Sequence, residues 1–422
     1  MFALATGPRS RAHGQRLAPL SLVLSAAVAS VGFAGQAHAA VSYTPSQIST
    51  VYGFTGANFK GTAATGAGQT IAIIDWYNDP NIVSEVSAFN SQYGLQTFNS
   101  GGPTFTVVNQ SGGSSLPTTN TTSLETALDV QWAHAMAPQA NIILVEPNTS
   151  AFSDTDAAVN YVKAQPGVSV VSMSYGATDT NGNANFSQYD STFTQAAGHA
   201  GVTFCASTGD SSSPSYPATS PHVLAVGGTT LSITGGGTRS SEVVWNNSRS
   251  SAEGTGYSAN ESEPAFQLGV QSSGKRSVPD VAYDADPNSG VYVEYNSGGG
   301  NQLYSGVGGT SISSPQWAAI IAIADQGRAL NGLSSLTSDQ ALTMLYALVG
   351  TPLYSQAFYD VTSGTSNGQT ATTGWDVASG LGTPNVGFLV NYLAGNVSIP
   401  EPSQAGVLMA VPAMMLRRRR RA

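Results

Sequence analysis

Charge is what this sequence has least of: only 9% of its residues are Asp, Glu, Lys or Arg, against 41% apolar. A disordered chain needs the opposite balance, so this one folds, with uncharged polar loops rich in its 47 glycines. Basic residues are scarcer in the body than the total of 15 shows, because Arg9, Arg11, Arg16 and Arg417 to Arg421 crowd the two ends. The body is therefore strongly acidic, which excludes nucleic acid or an anionic membrane surface as its partner. Such a surface loses its self-repulsion as carboxylates protonate and suits an acidic medium. Cysteine occurs once, as Cys205 within the apolar run 202–206. No intramolecular disulfide is available, and a buried structural thiol is expected. No internal repeat is present.

Both ends read as addresses. Residues 1–39 carry a basic start, an apolar stretch from Leu17 to Phe33, and Ala37-His38-Ala39 before Ala40. This is the order of a secretory signal peptide with its small-residue cleavage site. At the other end, Pro400-Glu401-Pro402 precedes an apolar run from Ala405 to Leu416 and five arginines. Twelve residues interrupted by Pro412 are too few for a comfortable lone membrane span. The three-part order of residues 400–422 resembles the bacterial PEP-CTERM sorting signal. It implies a cell-envelope or extracellular protein whose tail is met by a sorting enzyme; a simple tail anchor is the plainer reading.

Between the ends, strand and helix patterns alternate. Residues 69–75 (QTIAIID), 104–108, 141–146 (NIILVE), 168–174 (VSVVSMS) and 202–206 read as strands. Helical spacing marks 81–94, 123–137, 154–164, 189–199, 313–329 and 338–348. Continuous apolar strands alternating with helices predict an α/β fold, a parallel sheet with helices on both faces. Active sites of such sheets lie at the carboxyl ends of the strands. Residues 235–300 dissolve into Gly, Ser and Asn and are expected to be long loops and antiparallel strands. No composition break divides 40–395, so a single large catalytic domain is expected.

Chemistry concentrates in two places. Gly308-Gly309-Thr310-Ser311-Ile312-Ser313-Ser314-Pro315 leads into an apolar helix, where a serine can be exposed with backbone N–H groups beside it. Most serines before helices are only caps, and Ser313 or Ser314 fits that role. Glu125 and Asp129, four residues apart, share one face of the helix over 123–137. Alone, such a pair is usually a solvated face. Here Leu124, Ala127, Leu128, Val130, Trp132 and Ala133 make the helix apolar nearly all round. Two carboxylates in a buried helix call for a function.

The string around Ser311 resembles the G-T-S-x-x-S-P nucleophile motif of subtilisin-like peptidases, and Ala137-Pro138-Gln139-Ala140 resembles their A-P-x-A stretch. A subtilisin needs a catalytic histidine, yet His134, His199 and His222 all stand outside its motif. The Glu-x-x-x-Asp helix combined with Gly-Thr-Ser instead resembles the sedolisin family of serine-carboxyl peptidases, in which glutamate replaces that histidine. Thr208-Gly209-Asp210, Tyr216-Pro217-Ala218 and Leu224-Ala225-Val226-Gly227-Gly228 continue the likeness from Tyr43 to about Leu393. It implies a subtilisin-like fold and protein or peptide substrates. It also implies Ser311 as nucleophile, Glu125 as general base, Asp129 as its orienting partner and Asp210 at the oxyanion hole. Ser174, Tyr175 and Gly176 would pair with the substrate backbone. An aspartate can donate to an oxyanion only when protonated, so activity is expected between about pH 3 and 5. Asp75, after a strand like that bearing the subtilisin triad aspartate, is expected to be structural or to support the catalytic carboxylates.

The resemblance further implies one structural Ca²⁺, held by Asp360, Asp376 and the carbonyls of Val361, Thr372 and Gly374. Alone, two aspartates around a Gly/Thr-rich loop are more often turn residues. The family commonly has glycine where Thr372 stands. No propeptide fits between the signal peptide and Tyr43-Thr44-Pro45-Ser46-Gln47-Ile48, which resembles a mature start. Either the protein folds unaided, or a separate propeptide-like chaperone or inhibitor serves it, or the sequence is truncated. It is expected to act as a monomer. Two alternatives stand beside the serine-carboxyl peptidase: a surface-displayed binding module on an inactive scaffold, and a subtilisin-type enzyme using His134 and Asp75.

Overall fold

Residues Thr70–Ile74 read TIAII and form strand β1, buried along its whole length. A strand without a polar face needs cover on both sides, and β1 has it. Ile71 and Ile73 face one apolar cluster while Ala72 and Ile74 face another. The computed structural model that shows this describes residues 41–119, 123–182 and 184–399. The expected signal peptide and sorting tail lie outside the described residues.

Helix α1 (Pro45–Tyr52) precedes β1 and is closed by a Thr44/Gln47 capping box. The parallel strands continue with β2 (Phe105–Asn109), β3 (Asn141–Glu146), β4 (Val168–Met173), β5 (Thr203–Ser207) and β6 (Leu224–Ile233). An antiparallel edge, β7 (Arg239–Val244), gives the order β7-β6-β5-β4-β1-β3-β2. Helices α2 (Ile82–Tyr93), α3 (Ser123–Met136) and α4 (Phe152–Val162) link the strands. The 21-residue helix α5 (Thr310–Leu330) runs beneath the sheet on the side of α3, and α6 (Ser338–Tyr346) follows it. Trp132 of α3 and Trp317 of α5 are fully buried in the cluster between them. Phe152, Val159 and Val162 of α4 belong to the cluster on the other face.

Three expectations are corrected. Residues 189–199 are not an α-helix: a 3-10 segment spans Phe186–Phe193 and turns follow it. Its rings are pinned by contacts across the chain, Phe186 stacking on Tyr216 at 4.8 Å and Tyr189 on Phe152 at 5.0 Å. Within 235–300, the strand β8 (Val281–Asp284) pairs parallel with β6, so this stretch supplies part of the main sheet. It also supplies β9 (Val291–Tyr295), whose antiparallel partner β10 (Gln302–Val307) leads to α5. Finally, α5 begins at Thr310 rather than 313, which puts Ser311 inside its first turn. Ser313 and Ser314 are buried helix residues, not caps; the Ser314 hydroxyl lies 3.0 Å from that of Ser172. No helix among the described residues is long and apolar enough to cross a membrane.

Candidate active site

The sheet delivers side chains to its carboxyl edge. Asp75 follows β1, Ser174 to Gly176 follow β4, and Asp210 follows β5. Helix α5 starts at the same edge, and α3 packs along it.

Ser311 is held there by three devices. Gly309 has φ +117°, and a Cβ on it would lie 2.5 Å from Asp210 Oδ2, so only glycine fits. Asp210 caps the helix from another strand: its Oδ1 accepts from the Thr310 N–H and Oγ–H, both at 2.8 Å. Pro315 has no N–H for the Ser311 carbonyl one turn back, and the Ser174 hydroxyl reaches that carbonyl at 3.4 Å. Of the first-turn N–H groups, that of Thr310 goes to Asp210 and that of Ile312 to the Gly309 carbonyl, which leaves the Ser311 N–H as the donor next to its own hydroxyl.

The Ser311 hydroxyl lies close enough to the Glu125 carboxylate to favour its ionised form. Glu125 Oε1 and both Asp129 oxygens are buried without a geometric hydrogen-bond partner, although the nearby Ser174 hydroxyl favours ionised Asp129. Burial and the charge of Asp75 push Glu125 up to about 8, with the Ser311 hydroxyl opposing. Asp129 is pushed well above the carboxylate range by burial, then by Asp75 and Glu125. Asp75 rises to about 7 through burial and the charge of Asp79. Burial also raises Asp210, against the Thr310 bonds. With Oδ1 taken by two donors, Asp210 Oδ2 is the oxygen left to carry a proton.

The structure thus brings together Ser311, Glu125, Asp129 and Asp210, and adds Asp75 to them. A hydroxyl beside a buried carboxylate, near the N–H of its own residue and a carboxyl whose proton is favoured by burial, can perform acyl transfer. Thr310 and the Ser174 side chain were missed as supports; Thr310 was visible only as the middle letter of G-T-S. Tyr175 is buried against Trp76, ring centroids 5.5 Å apart. Gly176 lies against the Ser215 side chain, just before Ala177–Thr178 pairs with Ser215–Tyr216.

The histidine alternative does not survive the geometry. His134 lies nine residues beyond Glu125, half a turn out of phase, on the opposite face of α3. Its Nε2 is 2.7 Å from the Gln96 carbonyl, and its ring packs on Phe98 at 4.1 Å. Burial lowers its pKa to about 4. His222 is bound to Asp339 at 2.8 Å instead.

Asp360 and Asp376 share one loop region. Asp360 Oδ2 accepts from Gly374 N at 2.9 Å, and Asp376 Oδ2 from Thr372 N at 2.8 Å. Both charges bear on the Tyr354 hydroxyl, so the two carboxylates converge. Neither is in a salt bridge among the described residues. Carboxylates are ligands of the kind a hard cation takes, although Asp376 Oδ1 already accepts from the Ala378 and Ser379 N–H groups and the Ser379 hydroxyl. No group of three or more acidic, His or Cys side chains suited to a metal occurs among the described residues.

Comparison with known proteins bears on these features. Residues 118–375 match the Subtilase family. Sedolisin of Pseudomonas sp. (strain 101) is 29% identical over 388 residues, spanning 85% of this chain and 62% of that protein. Xanthomonalisin of Xanthomonas sp. (strain T-22) is 30% identical, with 86% of this chain and 47% of that protein covered. For kumamolisin of Bacillus sp. (strain MN-32) the figures are 30%, 87% and 66%. The chain therefore spans about half to two-thirds of the length of these curated relatives. Among solved structures, Pseudomonas sedolisin, a serine-carboxyl proteinase complexed with two molecules of pseudo-iodotyrostatin, matches with a TM-score of 0.71. That match is 28% identical and covers 85% of this chain and 99% of the other.

Proposed function

The chain belongs to the subtilase family, in its sedolisin branch, and on that premise we propose that it is an exported, acid-active serine-carboxyl endopeptidase. The observation that carries the reading is the Ser311 hydroxyl beside the Glu125 carboxylate, with Asp129 and Asp210 close enough to act on the same group. Ser311 Oγ attacks the peptide carbonyl carbon while Glu125 takes the hydroxyl proton. Glu125 acts in its ionised form, which the Ser311 hydroxyl favours and protonated Asp75 and Asp210 cease to oppose. The carbonyl electrons move onto oxygen, and the oxyanion accepts hydrogen bonds from protonated Asp210 Oδ2 and the Ser311 N–H. Glu125 then gives its proton to the leaving nitrogen, the C–N bond breaks, and an acyl-enzyme remains on Ser311. Water repeats the sequence in reverse roles and frees the second product. Asp129 orients Glu125 and shares its proton, and protonated Asp75 removes a repulsion that opposes charge on Glu125. Ser174, Tyr175 and Gly176 offer the substrate backbone an edge at the end of β4.

Protein or peptide substrates follow from the family. Residues 1–39 direct export, and residues 400–422 direct the chain to the envelope, where a sorting enzyme meets the tail. Residues 40–395 form the peptidase domain. Hydrolysis of an unfolded protein by the full chain should be confined to the acid side, strongest between about pH 3 and 5. Initial rates measured from pH 2 to 9 decide it. An optimum above neutrality sinks the carboxyl mechanism, and no cleavage at any pH returns the binding-scaffold alternative.

Asp360, Asp376 and the Val361, Thr372 and Gly374 carbonyls are the groups that would hold Ca²⁺. The ion would neutralise two converging carboxylates and tie the loop 360–376 together. A chelator should therefore lower the thermal midpoint of the full chain, and Asp376→Asn should make it insensitive to the chelator. Unchanged melting on chelation removes the site from the proposal.

A further inference from the structure

The face of α3 turned away from Ser311 has a fastening of its own. Gln131 is fully buried and lies two residues past Asp129, about 200° around the helix. Its Nε2 donates to the Glu294 carbonyl at 2.7 Å, and its Oε1 accepts from the Glu294 N–H at 2.9 Å. One side chain thus completes both backbone groups of a residue in β9, as a neighbouring strand does. Next to it, Trp132 Nε1 donates to the Tyr292 carbonyl at 2.9 Å. On its other edge β9 pairs with β10, Glu294 opposite Leu303. β10 ends at Val307, four residues before Ser311. The hairpin is also anchored to α2, where Glu85 accepts from Asn296 N at 2.9 Å and Asn301 donates to the Ser84 carbonyl at 2.8 Å.

A closed mechanical loop results. It runs from Ser311 through Gly309 and β10, across the hairpin to β9, through Gln131 into α3, and so to Glu125. We infer that Gln131 is a positioning residue: its fork on Glu294 sets the separation of the Ser311 hydroxyl and the Glu125 carboxylate. The inference rests on the peptidase reading above. Gln131 touches neither reacting group, so it acts on geometry alone. Misplacement by about an ångström costs on the order of 100-fold in rate, whereas substrate affinity is set elsewhere.

Two variants of the full chain test it. Gln131→Met keeps the volume and loses the fork; kcat should fall by roughly 10- to 100-fold with KM within about twofold. Gln131→Glu can both donate and accept only while protonated. Buried as residue 131 is, that carboxyl should stay protonated across the acid working range and restore the rate there, which Gln131→Met cannot do. Burial likewise raises Glu294 and Glu85, the carboxyl-bearing residues tied into the same hairpin. Trp132→Phe controls for a merely structural loss, since it removes a neighbouring bond to the same strand. If folded Gln131→Met keeps wild-type kcat, or Gln131→Glu behaves like Gln131→Met at every pH, the positioning role is overturned. If wild type itself shows no Ser311-dependent cleavage, the peptidase reading fails and the inference falls with it.

Discussion

Ser311→Ala should abolish acid hydrolysis, lowering kcat by roughly 10⁴- to 10⁶-fold while the protein stays folded. In the proposed mechanism this hydroxyl bonds covalently to the substrate carbonyl, and its partly exposed position tolerates the loss of one oxygen. Glu125→Gln should cost nearly as much, because an amide cannot take the hydroxyl proton. The two losses should not add, since both remove one step. Asp210 separates the mechanism from a generic serine peptidase. Asp210→Ala should cost about 10²- to 10³-fold in kcat. Asp210→Asn should be milder and should carry activity to higher pH, because an amide donates without needing a proton. The Thr310 bonds to Oδ1 survive in Asn if its carbonyl takes that place. Steady-state rates of wild type and the four variants between pH 3 and 8 are the measurement. An Asp210→Asn profile limited to the same acid range as wild type would falsify the protonated-donor role.

Fold stability should fall as pH rises from about 4 to 8, the reverse of most proteins over that range. Burial, with neighbouring carboxylates, raises Asp75 to about 7 and Glu85, Glu146 and Glu261 to about 8. Each of these four residues is at most 5% exposed. Burial also raises Asp129, Glu253, Asp284 and Asp325 well above the usual carboxylate range. In the unfolded chain the same groups titrate near 4. Between the two values the folded state binds more protons than the unfolded state, so raising pH favours unfolding. The stabilisation is full below about 4 and is lost through 7 to 8, at about 1.4 kcal/mol per pH unit for each proton retained. Melting or urea midpoints at steps from pH 3 to 8 test this, and a flat or rising trend contradicts it. A return to acid after brief exposure to pH 8 separates the two limits on activity. Carboxyl titration in an intact site reverses at once, whereas unfolding does not.

The local pieces were legible because local physics makes them. Five apolar residues in TIAII can only be a strand covered twice, and a Glu and Asp four apart on an apolar helix must share one buried face. The nucleophile turn was readable for the same reason, since Gly-Gly-Thr-Ser before an apolar helix states its own geometry. The extent of helix 189–199 was not, because ring stacking on Phe152 and Tyr216, both distant in sequence, overrode its spacing. Nor was the strand 281–284, whose partner β6 lies more than fifty residues earlier. The electrostatics of the site were equally hidden. Asp75 presses on Glu125 because β1 takes a central place in the sheet, and strand order is a tertiary fact. Thr310 meets Asp210, and Gln131 meets Glu294, across 100 and 163 residues of chain. Sequence by itself determined which groups are candidates for the chemistry and on which elements they ride. Only the tertiary structure decided how many carboxylates share one buried space, since burial and charge repulsion depend on what the fold brings alongside.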